Sequence, residues 1–300
     1  MKVAISGASG LVGQALASSL AQDGIDVLRL VRGKPALAGE ASWNPAEGLL
    51  NPDLLEGCEA VVNLAGESVA GGTWSAQRKR RIIESRIQST RTLCAAMARM
   101  KKSPEVMVSA SAIGHYGNRG DVWVDESSAL GQGFLAGVCR DWEAEAQEVQ
   151  KIGVRVVRLR IGLVLSLQGG ALSTMLPPFK LGLGGALGDG QQYMSWITLH
   201  DLVRAIRFCI SRKDIQGPVN AVAPSPVTNM EFTKTLGKAL HRPTFLSPPA
   251  FVLRTLLGQM AEEMFLTSIR VRPAVLARAG FDYSDEKLEP ALRRILGKEE

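Results

Sequence analysis

The sequence predicts a doubly wound α/β fold with a small, mainly helical C-terminal appendage. Three observations carry that expectation. Strand-like and helix-like segments alternate from the first residues to about residue 165. The first strand, turn, helix and second strand make a βαβ unit, whose right-handed crossover implies a parallel sheet. Of 300 residues, 31 are glycine and only 5% are aromatic, as suits backbone that must approach ligands closely.

Residues 2–6 (KVAIS) are a short apolar run, read as a buried strand. Gly7 to Gly13 form a glycine-rich turn that opens a helix over 11–22. Residues 26–31 are the second strand, and 59–64 the next, ending at Ala65-Gly66. A long helix follows over about 75–100, then a strand at 105–111, a helix at 132–151 and a strand at 154–165. Alternation on this scale is the doubly wound pattern. Residues 169–192 carry seven glycines and two prolines, and read as loop and ligand cover. An amphipathic helix is expected over 198–211 and a last short strand over 217–222. The tail from about 245 reads as helical, basic and strand-poor. The expected division is 1–242, with substrate-side loops at 166–197, and a small C-terminal domain at 243–300.

The composition narrows the function. Hydrophobic residues make 46% of the chain and charged residues 21%, which excludes disordered and fibrous classes. The net charge of +6 permits anionic ligands without demanding nucleic acid, and the basic run at 78–81 lacks interleaved aromatics. The four cysteines form no C-x-x-C pair and the three histidines show no ligand spacing, so no metal is expected. No apolar run approaches the length of a membrane span. The chain starts Met-Lys and runs straight into a strand, leaving no room for a signal peptide; a cytoplasmic protein, monomer or homodimer, is expected.

The sharpest motif is GASGLVG at 7–13. Gly7 permits a tight turn out of the strand, Gly10 lets backbone approach a pyrophosphate, and Gly13 lets the helix pack on the strand. The helix start offers free N–H groups and positive dipole to phosphates. In its strand–turn–helix setting this predicts a dinucleotide-binding Rossmann fold, with Gly7, Ser9, Gly10, Leu11, Val12 and Gly13 as candidate contacts. Val31-Arg32 ends the second strand, where an NAD site tends to place a carboxylate. A guanidinium there suits a ribose 2′-phosphate, so the expected cofactor is NADP(H). The plain alternative is that Arg32 is a solvated loop charge.

These features, with Asn63-Leu64-Ala65-Gly66, resemble the extended short-chain dehydrogenase/reductases of the NAD-dependent epimerase/dehydratase superfamily. The resemblance is closer still to the atypical "epimerase family protein" subfamily, with a small C-terminal domain. It rests on NLAGESVAGGTW (63–74), SRIQSTR (85–91), SAIGHYG (111–117), CRDWEAEA (139–146), FKLGLGGALGDGQQYMSWI (179–197) and NAVAP (220–224). It implies that Leu64, Ala65 and Gly66 pass under the adenosine and pyrophosphate, with Glu67 beside them. It further implies Arg86 as a cofactor-facing or site-facing arginine, Ser109 among the cofactor contacts, and Val164 near the nicotinamide. Read from the residues alone, Arg86 belongs to a basic cluster on the 75–100 helix, and most such clusters are solvated faces.

The family works with Ser, Tyr and Lys. Ser109 and Ser111 fill the serine position at the end of the 105–111 strand. Glu143 aligns with the glutamate that follows the family's lysine, which puts Cys139 at the lysine position and Leu135 at the tyrosine position. Neither can move the proton. None of Tyr116, Tyr193 and Tyr283 restores the pair in chain order. Ser111, His115 and Tyr116 are the remaining catalytic candidates, with loop packing as the alternative for the last two. The expected function is an NADP(H)-dependent oxidoreductase or nucleotide-sugar-epimerase-like enzyme on a small carbonyl or hydroxyl compound. The alternative is a non-catalytic NADPH-binding redox sensor or partner-binding module.

Overall fold

The structure, a computed structural model, describes residues 1–298. Its strands are β1 (Lys2–Ser6), β2 (Asp26–Val31), β3 (Glu40–Ser42), β4 (Ala60–Asn63), β5 (Val106–Ala112), β6 (Trp123–Val124), β7 (Arg155–Ile161), β8 (Leu163–Leu165), β9 (Tyr193–Met194), β10 (Trp196–Thr198), β11 (Gly217–Ala221), β12 (Val227–Thr228) and β13 (Arg270–Val271). Its helices are α1 (Leu11–Gln22), α2 (Ala76–Met97), α3 (Phe134–Gln147), α4 (Gly170–Lys180), α5 (Leu199–Ser211), α6 (Asn229–Leu240), α7 (Ala250–Leu257), α8 (Ala274–Arg278) and α9 (Leu288–Ile295).

Seven strands form one sheet in the order β3-β2-β1-β4-β5-β7-β11. The pairings of β1 with β2 and β4, of β2 with β3, and of β4 with β5 are parallel. Strands covered on both faces read as continuous apolar runs, and Val3, Ala4, Ile5, Val61, Val62, Met107 and Val108 have no exposed surface. Leu16, Ala17 and Leu20 give α1 one buried face, and the helix packs on β1 and β2. Truncating fully buried Leu16 to Ala should cost about 2–5 kcal/mol.

The chain divides into two compact units that interleave along the sequence. The first holds 1–111, 138–160 and 203–219; the second holds 112–137, 161–202 and 220 onward. In the second unit α4, α6 and α9 share an apolar cluster with Leu172, Phe179, Phe232, Leu236 and Leu292. Thr228 and Glu231 close a capping box at the start of α6. Asp201, in the first turn of α5, accepts the backbone N–H groups of Ser284 and Asp285, so it ties the C-terminal segment rather than only easing a helix dipole.

Several sequence expectations need correction. Residues 169–192 are not all loop: α4 forms there although Pro177 and Pro178 lie inside it, because Leu172, Leu176 and Phe179 recur on one buried face. The strand expected at 154–165 breaks at Gly162. A side chain there would meet the Ser195 carbonyl oxygen at 2.6 Å, and β8 turns away to pair with β10. The helix expected over 132–151 ends at Gln147 and tightens into a 3₁₀ turn, Glu148–Ile152. The strand-poor tail still contributes β13, which pairs with β6.

Candidate functional site

The turn after β1 is built by steric necessity at two of its glycines. Gly7 has φ +71°, and a Cβ there would lie 2.7 Å from the Leu64 carbonyl group. A Cβ on Gly13 would lie 2.2 Å from the Gly7 carbonyl oxygen. The segment after β4 and the first turn of α1 are thus drawn against the loop by absent side chains. Gly10 differs. Its φ is −80°, and its nearest contact would be 3.3 Å. A side chain at Gly10 would ask the Gly7 carbonyl to give by a few tenths of an ångström, far less than at Gly7 or Gly13, while close approach of a ligand would ask for a bare backbone.

Gly10 caps α1 without a side-chain hydrogen bond, and no acidic residue stands in the first turn. The first amides of any helix lack intrahelical acceptors, so those of Leu11, Val12 and Gly13 suit an anion. Ser9 and Gly10 are exposed at the mouth of this turn. Arg32 is exposed just beyond Val31, and its guanidinium has no hydrogen bond or ion pair among the described residues. The donors present fit a dinucleotide carrying an extra phosphate.

Leu64 to Glu67 leave β4 beside this turn and are pinned from behind. Arg86 donates to the Glu67 carbonyl at 3.0 Å and to the Ile82 carbonyl at 2.9 Å. Its guanidinium lies 5.0 Å from the Trp142 ring centroid and against Gly66. Burial holds its pKa below the ordinary arginine value. Ser85 accepts the Glu67 N–H, and the Glu67 carboxylate pairs with Arg78. Arg86 therefore positions the 64–67 segment.

A polar row crosses the sheet at the ends of β1 and β4 and the middle of β5, where register sets Ser6 against Asn63 and Asn63 against Ser109. The Ser6 hydroxyl donates to Asn63 at 2.7 Å. The Asn63 amide donates to Thr90 at 2.8 Å and to Ser109 at 3.3 Å. The Trp142 indole also donates to Thr90. Sequence alone assigns no role to Ser6, Asn63 or Thr90; a polar residue closing an apolar strand marks Ser6 and Asn63, whereas Thr90, on α2, carries no such signal.

Ser111 lies in a second polar cluster. Its hydroxyl donates to Glu143 at 2.8 Å. Arg160 grips the same carboxylate twice, at 2.8 and 3.0 Å, and Arg158 stands 3.5 Å away. Ser111, Glu143 and Arg160 are all buried. The serine proton is thus held by a carboxylate, leaving the Ser111 oxygen as an acceptor.

The remaining candidates lie in the second unit. Tyr116 is fully buried, and its hydroxyl donates to Asn220 at 2.7 Å. His115 is buried with its ring edge-on to Tyr116, centroids 5.4 Å apart. Val164 sits mid-β8, opposite Ile197 of β10. Leu135 opens α3, its N–H and that of Phe134 donating to the Glu263 carboxylate at 2.7 and 2.9 Å. Among the described residues no cluster of His, Cys, Asp or Glu is placed to hold a metal ion, and no helix is long and apolar enough to cross a membrane.

Comparison with known proteins matches residues 3–221 to the NAD dependent epimerase/dehydratase family and residues 248–295 to a domain of unknown function (DUF1731). The epimerase family protein Mb2239 of Mycobacterium bovis is 45% identical over 290 residues, covering 97% of this chain and 96% of that protein. The crystal structure of human epimerase family protein SDR39U1 (isoform 2) with NADPH superposes with a TM-score of 0.89 at 32% identity, covering 99% of each chain. UDP-N-acetylglucosamine 4-epimerase from Bacillus cereus, at 16% identity and a TM-score of 0.77 over 99% of each chain, shares the fold.

Proposed function

Because the chain belongs to the NAD dependent epimerase/dehydratase family, we propose that it binds NADP(H) and acts as an atypical short-chain dehydrogenase/reductase. Its substrate in this reading is a small carbonyl or hydroxyl compound, turned over by oxidoreduction or epimerisation. The carrying observation is the uncapped start of α1 beside a bare Gly10, with an unpartnered Arg32 at the end of β2. The human relative's NADPH complex supports the same cofactor. When bound, the dinucleotide would exchange a hydride at its nicotinamide ring.

The chain's own residues take the other roles. The amides of Leu11 to Gly13 hold the pyrophosphate, and Arg32 holds the 2′-phosphate. Leu64, Ala65, Gly66 and Glu67 wall the adenosine side, fixed by Arg86. Ser109 stands further along the same sheet edge, hydrogen-bonded to Asn63. Ser111 accepts a bond from a substrate hydroxyl, since its own proton faces Glu143. His115 is favoured over Tyr116 for proton transfer, because the Tyr116 proton faces Asn220. The dinucleotide-binding part spans 1–242 and the C-terminal part 243–300, working in the cytosol as a monomer or homodimer.

Leu135 and Cys139, at the tyrosine and lysine places, favour a second reading: an NADPH-binding redox sensor without turnover. Incubation with NADPH and a broad carbonyl panel separates the two. Loss of nicotinamide absorbance with any member removes the sensor. Tight binding with no turnover at high enzyme concentration removes the enzyme.

A further inference from the structure

The second unit carries apolar surface that its own described residues leave uncovered. α7 reads AFVLRTLL, yet none of its residues is buried. Leu181, Phe245, Phe251 and Leu256 are each 66–74% exposed, and Leu183 and Leu246 are exposed as well. The segments that bear them lie together. The Leu246 N–H donates to the Gly184 carbonyl at 3.4 Å, and the Gly188 N–H donates to the Pro248 carbonyl at 3.0 Å. A side chain at Gly185 would meet the Leu246 carbonyl oxygen at 1.8 Å, so the turn after α4 is drawn against the segment that leads into α7.

The charge of this patch is one-sided. No Asp or Glu occurs in 161–188 or in 232–261, the two stretches that build it. Lys180 directly precedes Leu181 and Arg242 shortly precedes Phe245, and both cations are exposed with no ion pair among the described residues. A Cβ on Gly182 would lie 3.6 Å from Pro243, which sets the two cationic segments side by side. Clustered exposed apolar residues rimmed by polar ones mark a contact with a protein or a membrane. A second copy docking the same surface would set Lys180 and Arg242 against their own kind, with no carboxylate in either stretch to answer them. Protein partners are anchored chiefly by Trp, Tyr and Arg, with Leu under-represented. Phe and Leu beside basic residues are instead the composition of elements that lie in a lipid interface.

We infer that this patch docks reversibly on an anionic lipid surface. Phe251 and Leu256 enter the boundary between headgroups and acyl chains, with Leu181 and Phe245 beside them. Lys180 and Arg242 meet headgroup phosphates, an attraction that salt screens. α7 is far too short to span a bilayer, so the chain lies on the membrane rather than through it. Pro248, Pro249 and the hydrogen bond from Gly188 fix the start of α7, so little ordering cost opposes the contact.

The test is co-sedimentation of the full chain with vesicles of phosphatidylcholine alone and of phosphatidylcholine mixed with phosphatidylglycerol. The chain should sediment with the mixed vesicles, and added salt should release it. F251S/L256S should lower that partition about tenfold or more, since two apolar anchors are lost. K180Q/R242Q should lower it roughly tenfold on the mixed vesicles while leaving the weak binding to phosphatidylcholine unchanged. All four positions are exposed, so thermal melts of both variants should match wild type; if F251S/L256S melts early, K180Q/R242Q decides the matter. No sedimentation with the mixed vesicles overturns the inference, as does equal binding to both vesicle types or wild-type partition in either variant. Sedimentation velocity without lipid adds one more check: a wild-type dimer that F251S/L256S turns into a monomer would make the patch a contact between copies and overturn the lipid reading.

Discussion

The turn at residues 7–13 and the cluster around Glu143 both lie in the first unit, and they use their polar groups in opposite ways. At the turn, α1 starts without a side-chain cap or an early acidic residue, and Arg32 stands exposed and unpaired among the described residues. Around Glu143, one carboxylate receives Ser111 and two bonds from Arg160, all buried. An open set of donors beside bare backbone can hold an external anion. A buried network whose carboxylate is already paired chiefly fixes local structure. An open set of donors therefore stands out from geometry alone, while proton chemistry inside a closed network does not.

The largest effect that tests this contrast lies at Gly13. A Cβ there would collide with the Gly7 carbonyl oxygen, so G13A should lose about 3 kcal/mol or more, or fail to fold, as read by urea denaturation. E143A should come next. It strands Arg160 in the interior and should cost about 3–5 kcal/mol. An E143A protein as stable as wild type would mean that the cluster is not the closed network described. G10A should move stability by about 1 kcal/mol or less, within the range of a tolerated Gly→Ala change, yet weaken NADPH binding at least about tenfold. Unchanged affinity in G10A would erase the distinction between the glycines.

A further effect is alkaline. Burial pushes the Cys94 and Cys209 thiols from 9.0 up to about 12. An unfolded thiol ionises first, so this contribution is complete below about pH 8.5 and is lost as pH rises toward 12. Urea midpoints should fall across that window, and C94S should flatten the fall. A midpoint that holds steady from pH 8.5 upward would contradict the burial.

Much of the first unit was legible because its signals are local. The expected segments 2–6, 11–22 and 26–31 coincide with β1, α1 and β2, since apolar runs, small helix residues and a glycine turn sit within thirty positions of one another. α4 escaped because glycines and prolines masked its buried stripe. The candidate site divided the same way. The close packing at Gly7 and Gly13 was readable from spacing. Ser111's hold on Glu143 spans 32 positions and Tyr116's bond to Asn220 spans 104, and no local pattern marks such partners.

The central claim is that the start of α1 and Arg32 together select NADP(H). Titration of the full chain with NADPH and with NADH, in wild type and in R32A, tests it directly. Wild type should bind NADPH about tenfold or more tightly than NADH, and R32A should fold normally and bind both alike. No binding of either nucleotide would contradict the site, and an R32A protein that keeps the wild-type preference would contradict the role of the guanidinium.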